Sequence, residues 1–342
     1  MTAINRPEGS VTDLGSYDAL VVGGGLSGWA AGVALARAGH QVLLAGERTG
    51  LGHEVSSALS LWPGDDERLA TSPLMQEIAE GLAAVDALQA GAMDPVATQV
   101  LLDRLTVEAG VKLLLQVWCH PREDGQAVLS GKWGTMAARA RVIVDGTRKA
   151  VPAVEAGVRA VPRETDELPM RRALIINAKS DADTELEVGE DLPIAGGKVR
   201  AWPGVWPGDV ILEAHLDLDS ADPAQFELEG RAAMIEATAR LRERVEAFEN
   251  ASLVMVAHEA ILPRSEVILG RDDETAATEL ATESGTVAVK RGAFLPEGTE
   301  SLVLASPAAD LGEVSAVECY QASSAVRIGE AAGAIACELL EA

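Results

Sequence analysis

The chain has 342 residues, of which 48% are hydrophobic and 24% charged, as in an ordinary globular protein with two closely connected domains. The formal net charge of -25 argues against nucleic acid and anionic membranes as partners, because binding them needs clustered Lys and Arg. No apolar run reaches the roughly 20 residues of a membrane span. Residues 1–16 are polar, which predicts a flexible tail and no signal peptide.

The cysteines favour a reducing compartment. Cys119, Cys319 and Cys337 are scattered along the chain, which predicts neither a disulfide framework nor a metal site. We therefore expect a cytoplasmic protein without a bound metal ion.

The first elements predict a βαβ unit. The apolar run Tyr17–Val22 is typical of a buried parallel strand, and Leu26–Ala38 is typical of a small-residue helix that ends at a glycine. A second apolar strand follows over Gln41–Ala45. Strand, glycine turn, helix and strand within about thirty residues form one right-handed crossover unit.

The turn between the first strand and the helix matches GxGxxG through Gly23, Gly25 and Gly28. Gly23 permits the tight turn, Gly25 removes a side chain that would block a diphosphate, and Gly28 lets helix and strand pack closely. The backbone N–H groups at the helix start, at Leu26 and Ser27, then face the phosphates. In this context the motif predicts dinucleotide binding, with open space over Gly25.

Glu47 lies just past the second strand, where a carboxylate accepts hydrogen bonds from ribose hydroxyls. A carboxylate there would repel a 2′-phosphate, so NADP is disfavoured. The local motif does not separate FAD from NAD.

The rest of the chain predicts an α/β fold with an inserted domain. Asp94 and Pro95 are typical of an N-cap and first helical residue, and predict a helix to about Ala109. Composition changes near residue 160. We expect a Rossmann-like dinucleotide domain from residues 17–160 and 285–342, and a mixed α+β substrate domain over 161–284.

Four segments carry a resemblance to a known family. VVGGGLSGWAAGVALARAGHQVLLAGE (21–47) resembles the opening of the broad FAD-dependent oxidoreductase family related to fumarate reductase and succinate dehydrogenase flavoproteins, with a glutathione-reductase-type FAD fold. ARARVIVDGT (138–147), AFLPEGTESLVLAS (293–306) and SSAVRIGEAAGAIACELL (323–340) are similar to later family segments, in the same order.

The resemblance implies FAD as cofactor, in a Rossmann-like FAD-binding domain. It places the turn at the end of 138–147 over the FAD and the C-terminal helix near the flavin. The cofactor-binding residues that we expect beyond the glycine motif and Glu47 are Arg48, Gly52, Val117, Asp145, Gly146, Thr147, Gly329 and Gly333. The chain departs from the family after Thr147, where Arg148-Lys149 replaces the usual Gly-Asp.

Three residues are candidates for catalysis. His53 lies on the loop that the resemblance places beside the flavin, as a general base, a flavin attachment point or an ordinary loop histidine. Arg264 could bind a substrate carboxylate as a planar fork or form a surface ion pair. His258 ends an apolar strand, as a hydrogen-bonded core histidine or a base.

These features lead to three hypotheses of function. The first is a dehydrogenase or oxidase that passes hydride between a small organic substrate and flavin N5, with the substrate entering between the domains. A homo-oligomer or an electron-acceptor partner is compatible with it. The second is a flavin monooxygenase, suggested by Val144-Asp145-Gly146 and the basic Arg148-Lys149. The third is a flavoprotein whose FAD is structural.

Overall fold

The computed structural model describes residues 11–63, 72–122, 125–180, 183–218, 222–282 and 284–342. Its α-helices are α1 (Leu26–Arg37), α2 (His53–Ser56), α3 (Pro73–Ala83), α4 (Pro95–Glu108), α5 (Val151–Glu155), α6 (Pro223–Arg244), α7 (Ala316–Cys319) and α8 (Ala322–Glu341). Its strands are β1 (Thr12–Val22), β2 (Val42–Gly46), β3 (Leu88–Gln89), β4 (Ala92–Met93), β5 (Lys112–Leu115), β6 (Val117–Pro121), β7 (Gln126–Gly131), β8 (Gly134–Asp145), β9 (Ala160–Pro162), β10 (Met170–Ile176), β11 (Thr184–Glu187), β12 (Lys198–Pro203), β13 (Val210–His215), β14 (Ser252–Val256), β15 (Glu266–Ile268), β16 (Ala276–Thr282), β17 (Gly285–Lys290) and β18 (Leu302–Leu304).

The larger sheet has the order β5-β2-β1-β8-β7-β6, with β18 also paired to β8. Its strands β5, β2, β1, β8 and β18 are parallel neighbours, as in a Rossmann-like sheet. Ala19 of β1 pairs with Val42 on one side and Val142 on the other. Because parallel strands end at the same edge, the glycine turn after β1, Glu47 after β2 and Asp145 at the end of β8 come together there.

A second sheet forms the body of the inserted domain. Its order is β11-β12-β13-β10-β14, and all its pairs are antiparallel. Helix α6 covers it, since Met234 and Leu241 are buried in one core with Ile175 and Leu212. Parallel and antiparallel sheets in one chain confirm the predicted α/β class with a mixed second domain.

Two predicted boundaries are corrected by the structure. Residues 12–16 are not part of a flexible tail, because they continue β1 and pair with the long strand β8 from Thr12 opposite Met136. The predicted boundary between 284 and 285 falls inside the hairpin of β16 and β17. Leu280 and Val289, one from each strand, are buried in the core of the larger sheet, so the hairpin belongs to that domain.

The described ranges lack two kinds of feature. None of their helices combines the length and the apolarity needed to cross a membrane. Those same ranges contain no group of three or more His, Cys, Asp or Glu side chains that could hold a metal ion.

Candidate functional site

The candidate site is a cavity of about 340 Å³ where the parallel strands end, which we call the edge cavity. The carboxyl edge of such a sheet is where open α/β folds bind their ligands. The cavity is lined by Val22, Gly23, Gly24, Gly25, Ala45, Gly46, Glu47, Arg48, Gly50, His53, Val117, Trp118, Cys119, His120, Gly146, Thr147, Arg148, Lys149, Val151, Pro152, Glu227 and Glu259.

About half of the predicted cofactor residues lie in this lining. They are Gly23, Gly25, Glu47, Arg48, Val117, Gly146 and Thr147. The structure places the remainder outside the lining, namely Leu26, Ser27, Gly28, Gly52, Asp145, Gly329 and Gly333. Residues of this second group pack within the fold.

The glycine turn needs its first and third glycines for packing. Gly23 has a φ of +109°, and a Cβ on it would lie 2.5 Å from the carbonyl oxygen of Gly146. A Cβ on Gly28 would collide with the carbonyl oxygen of Gly23. These contacts are the tight turn and the close helix–strand approach that the motif predicts.

The space over Gly25 is filled by side chains. A Cβ on Gly25 would lie 2.6 Å from Glu54 Oε1 and 2.7 Å from His53 Cε1. Glu54 Oε2 also accepts a hydrogen bond of 2.9 Å from the backbone N–H of Leu26, the first residue of α1. In this structure the Leu26 N–H therefore faces a carboxylate, and side chains occupy the space over Gly25 that the sequence analysis predicted for a diphosphate.

His53 links two carboxylates in the edge cavity. Its Nδ1 lies 3.7 Å from Glu54 Oε2 and its Nε2 lies 3.7 Å from Glu259 Oε1. Arg48 Nη2 donates to Glu259 Oε2 at 2.5 Å. Glu259 Oε1 is buried and has no hydrogen-bond partner among the described residues. A histidine between two acids, one with a buried oxygen that accepts no hydrogen bond, is well placed to accept or release a proton.

Other predicted cofactor residues prove to be packing residues. The Ser27 hydroxyl is buried and donates to the Ala305 carbonyl at 2.6 Å. A Cβ on Gly329 would collide with the Ser27 carbonyl, and one on Gly333 would lie 3.0 Å from Ala34 Cβ. Both glycines therefore let α8 approach α1 closely, which corrects the expectation that they face the flavin. Gly52 has a φ of +63°, and a Cβ on it would meet Leu102 instead of the cavity.

Asp145 is fully buried and supports the turn after β8. Its Oδ1 accepts hydrogen bonds from Thr147 N at 3.0 Å and Thr147 Oγ1 at 2.7 Å, and its Oδ2 accepts from Ala153 N at 3.0 Å. Burial raises the pKa of Asp145 to about 7 in spite of these hydrogen bonds. The carboxylate holds the 145–153 segment together, and because it is fully buried it does not face the cavity.

A second cavity of about 520 Å³ opens between the two domains, and we call it the interdomain cavity. Arg148 and Lys149 line both cavities, so the two meet there. Arg148 Nη1 lies 3.3 Å from the Ala260 carbonyl oxygen and 3.5 Å from the Tyr320 hydroxyl. Burial raises the pKa of Tyr320, so its hydroxyl stays protonated. The His53 ring lies edge-on to the Tyr320 ring, with centroids 6.2 Å apart.

Arg264 lines the interdomain cavity, but its donors are engaged by the backbone. Its Nε donates to Pro307 O at 2.7 Å, its Nη2 to Ala309 O at 2.6 Å, and its Nη1 to Val314 O. The side chain is 5% exposed. This arrangement corrects the expectation of a planar fork for substrate, because the guanidinium instead holds the 307–314 loop.

We expect Arg264→Ala to lose about 3 kcal/mol of unfolding free energy, because buried carbonyl oxygens would lose charge-assisted hydrogen bonds. Arg264→Lys should lose nearly as much, since one ammonium group cannot reach carbonyls on three sides. Urea unfolding of both variants measures this. Unchanged stability with a raised KM would instead restore the substrate-binding role.

His258 is exposed and lies outside the linings of both cavities. Its backbone N–H donates to the Ser57 carbonyl at 2.8 Å. Neither expectation for this residue is met: the side chain is not part of the core, and it does not face a site where it could act as a base.

Sequence reasoning missed the roles of Glu54, Arg148 and Tyr320. Glu54 directly follows the candidate His53, and Arg148 was noted as a departure from the family and as a basic residue that suggests a monooxygenase. In both cases the signal was a large charged residue close in sequence to the predicted cofactor residues. Tyr320 gave no signal, because its approach to Arg148 depends on the fold.

A profile of the family described as FAD dependent oxidoreductase matches residues 18–261. Solved structures with the same fold include a geranylgeranyl bacteriochlorophyll reductase-like protein from Thermoplasma acidophilum, with 15% identity, a TM-score of 0.57, and coverage of 95% of this chain and 81% of that one. A flavin-dependent brominase has 13% identity, a TM-score of 0.60, and coverage of 94% and 80%. The p-nitrophenol 4-monooxygenase from Pseudomonas putida has 13% identity, a TM-score of 0.55, and coverage of 91% and 77%. No curated protein matches the chain in sequence.

The residues of the edge cavity bear differently on the two parts of FAD that they would contact. Glu47 lies at the end of β2 in the lining, where its carboxylate would accept hydrogen bonds from the adenosine ribose. The diphosphate does not fit beside Gly25 while Glu54 occupies the N–H of Leu26. Glu47 is thus available in the lining for a ribose, whereas Glu54 fills the position that a diphosphate would take.

Proposed function

Because the chain belongs to the family of FAD-dependent oxidoreductases, we propose that it is an enzyme that oxidises or reduces a small organic substrate next to FAD. The meeting of the edge cavity and the interdomain cavity at Arg148 and Lys149 carries this proposal. One cavity contains the glycine turn and Glu47, and the other lies between domains, where substrates commonly bind. A substrate in the second cavity would thus be next to a cofactor in the first.

Arg148 favours substrates with a carboxylate or another anionic group. Flavins supply a two-electron centre that exchanges hydride at N5, so the protein has to bind and orient the substrate and handle a proton. A planar guanidinium binds a carboxylate through paired hydrogen bonds, and Arg148 stands where the two cavities meet. Arg148 would thus bind the substrate carboxylate, a role that the sequence analysis considered for Arg264.

Tyr320 and His53 are the residues that we propose for orientation and proton transfer. The protonated Tyr320 hydroxyl can donate a hydrogen bond to a substrate oxygen. His53 can exchange a proton, because its Nε2 faces the Glu259 carboxylate. Covalent attachment of flavin to His53 stays a prediction, and complete release of flavin on denaturation would exclude it.

The test is an anaerobic titration of the FAD-loaded protein with small hydroxycarboxylates and dicarboxylates and with their uncharged amides. We expect an acid, and not its amide, to bleach the flavin absorption. Arg148→Gln should raise KM for that acid at least tenfold, because the anion loses its cation. Arg139→Gln, which removes an exposed arginine of β8 outside both cavities, is the matched control.

Other outcomes would favour the alternative functions. Reduction by an amide as readily as by its acid, or an unchanged KM in Arg148→Gln, would contradict the role of Arg148. NADPH consumption coupled to oxygen with an aromatic substrate would favour a monooxygenase, and a flavin that no compound reduces would favour a non-catalytic flavoprotein. The narrower resemblance to fumarate reductase flavoproteins, and an electron-acceptor partner or a homo-oligomer, stay predictions.

A further inference from the structure

We propose that the Glu54 carboxylate competes with the FAD diphosphate: it occupies the anion site at the start of α1 in the ligand-free protein, and it must leave that site for FAD to bind. Glu54 would then set how tightly the protein holds its cofactor. The inference rests on the proposed FAD-dependent function, and its test separates the two.

The first observation is the hydrogen bond at the helix start. The first N–H groups of an α-helix have no partner within the helix, and together with the helix dipole they attract anions. In α1, which has twelve residues, the N–H of Leu26 donates to Glu54 Oε2 at 2.9 Å. Glu54 is 6% exposed, so this carboxylate occupies the site in place of solvent.

The second observation concerns the space that Gly25 leaves free. Absence of a side chain at this position is what allows a diphosphate to approach the backbone in dinucleotide-binding folds. Here Glu54 Oε1 lies 2.6 Å from the position of a Gly25 Cβ, so the carboxylate fills that space. A diphosphate and the Glu54 carboxylate cannot both occupy this space. Even side by side, the two anions would repel each other.

The loop that carries Glu54 is held firmly in place. The N–H of Gly52 donates to the Gly24 carbonyl at 2.9 Å, and Val55 is fully buried. The backbone therefore stays beside the glycine turn, and the Glu54 side chain has to rotate away for a diphosphate to enter. Glu259, whose buried Oε1 lies 3.7 Å from His53 Nε2, adds a second acid on the other side of His53.

The experiment measures the binding of ADP, FAD and riboflavin to the flavin-free protein by calorimetry. ADP carries the diphosphate without a flavin, and riboflavin carries the flavin without a phosphate. We expect Glu54→Gln, which keeps shape and removes charge, to bind ADP and FAD at least tenfold more tightly than the wild type. Riboflavin binding should not change. Glu54→Ala should also bind ADP and FAD more tightly than the wild type, and it replaces Glu54→Gln in the test if that variant does not fold.

Glu80→Gln is the matched control, because it removes one negative charge from an exposed position of α3. It should leave all three affinities unchanged. Equal FAD affinity in wild type and Glu54 variants, or weaker binding by the variants, would overturn the competition and leave the FAD-dependent function intact. No FAD binding by any of the proteins would overturn both.

Discussion

Gly28→Ala should lose more than about 4 kcal/mol of unfolding free energy, which is exceptional for the addition of one methyl group. The Cβ would collide with the carbonyl oxygen of Gly23, and Gly146 Cα lies 3.5 Å away. Neither neighbour is a flexible side chain that could rotate aside. Helix α1 would have to move off the sheet, and the buried hydrogen bond from Ser27 to Ala305 would go with it.

Gly32→Ala in the same helix is the control for this prediction. The nearest atom to its Cβ would be Leu44 Cδ1 at 3.4 Å, an ordinary contact. Alanine is the better helix former by about 1 kcal/mol, so this variant should be as stable as the wild type or more stable. Thermal and urea unfolding of the two variants test the difference. Similar stability for both would mean that α1 is not packed as closely as the structure shows.

Asp145→Asn should change how stability depends on pH. Burial raises the pKa of Asp145 to about 7 in the folded protein, whereas an unfolded aspartate titrates near pH 4. Between these values the unfolded chain has lost the proton that the folded protein keeps. The stability from the raised pKa is thus fully present below about pH 4 and is lost as pH rises to 7, by on the order of 4 kcal/mol.

The variant removes this pH dependence because asparagine does not titrate. Its amide would face the N–H of Ala153, so it should also carry a constant penalty at every pH. The measurement is the unfolding free energy of the wild type and of Asp145→Asn from pH 4.5 to 8. In the difference between the two proteins, the contributions of all other titrating groups cancel. The stability advantage of the wild type should shrink as pH rises. Two parallel curves would show that Asp145 is ionised throughout.

The elements that the sequence predicted correctly depend on neighbours in the chain. Asp94 accepts hydrogen bonds from the N–H groups of Val96 and Ala97, and α4 begins at Pro95, as the residue types indicated. The first βαβ unit likewise follows from apolar runs and glycines within thirty residues. Such features need no knowledge of the distant chain.

The site could be predicted only in part, because its decisive contacts join distant segments. Glu54 reaches the start of α1 from 28 residues away. Arg264 meets carbonyl groups more than 40 residues further on, and Gly329 meets Ser27 across almost the whole chain. The charged side chains that make these contacts follow no periodic pattern in the sequence. A glycine that packs against a helix also looks the same in sequence as a glycine that faces a ligand.

The parallel sheet is completed by a strand that comes late in the chain. Strand β8 ends at Asp145 and its parallel partner β18 begins at Leu302, with the whole antiparallel sheet between them. Closing so large a loop is slow, whereas every strand pairing of the inserted sheet joins segments that are much closer in sequence than β8 and β18. Refolding from denaturant should therefore proceed in at least two kinetic phases, with the inserted domain acquiring protection from hydrogen exchange first.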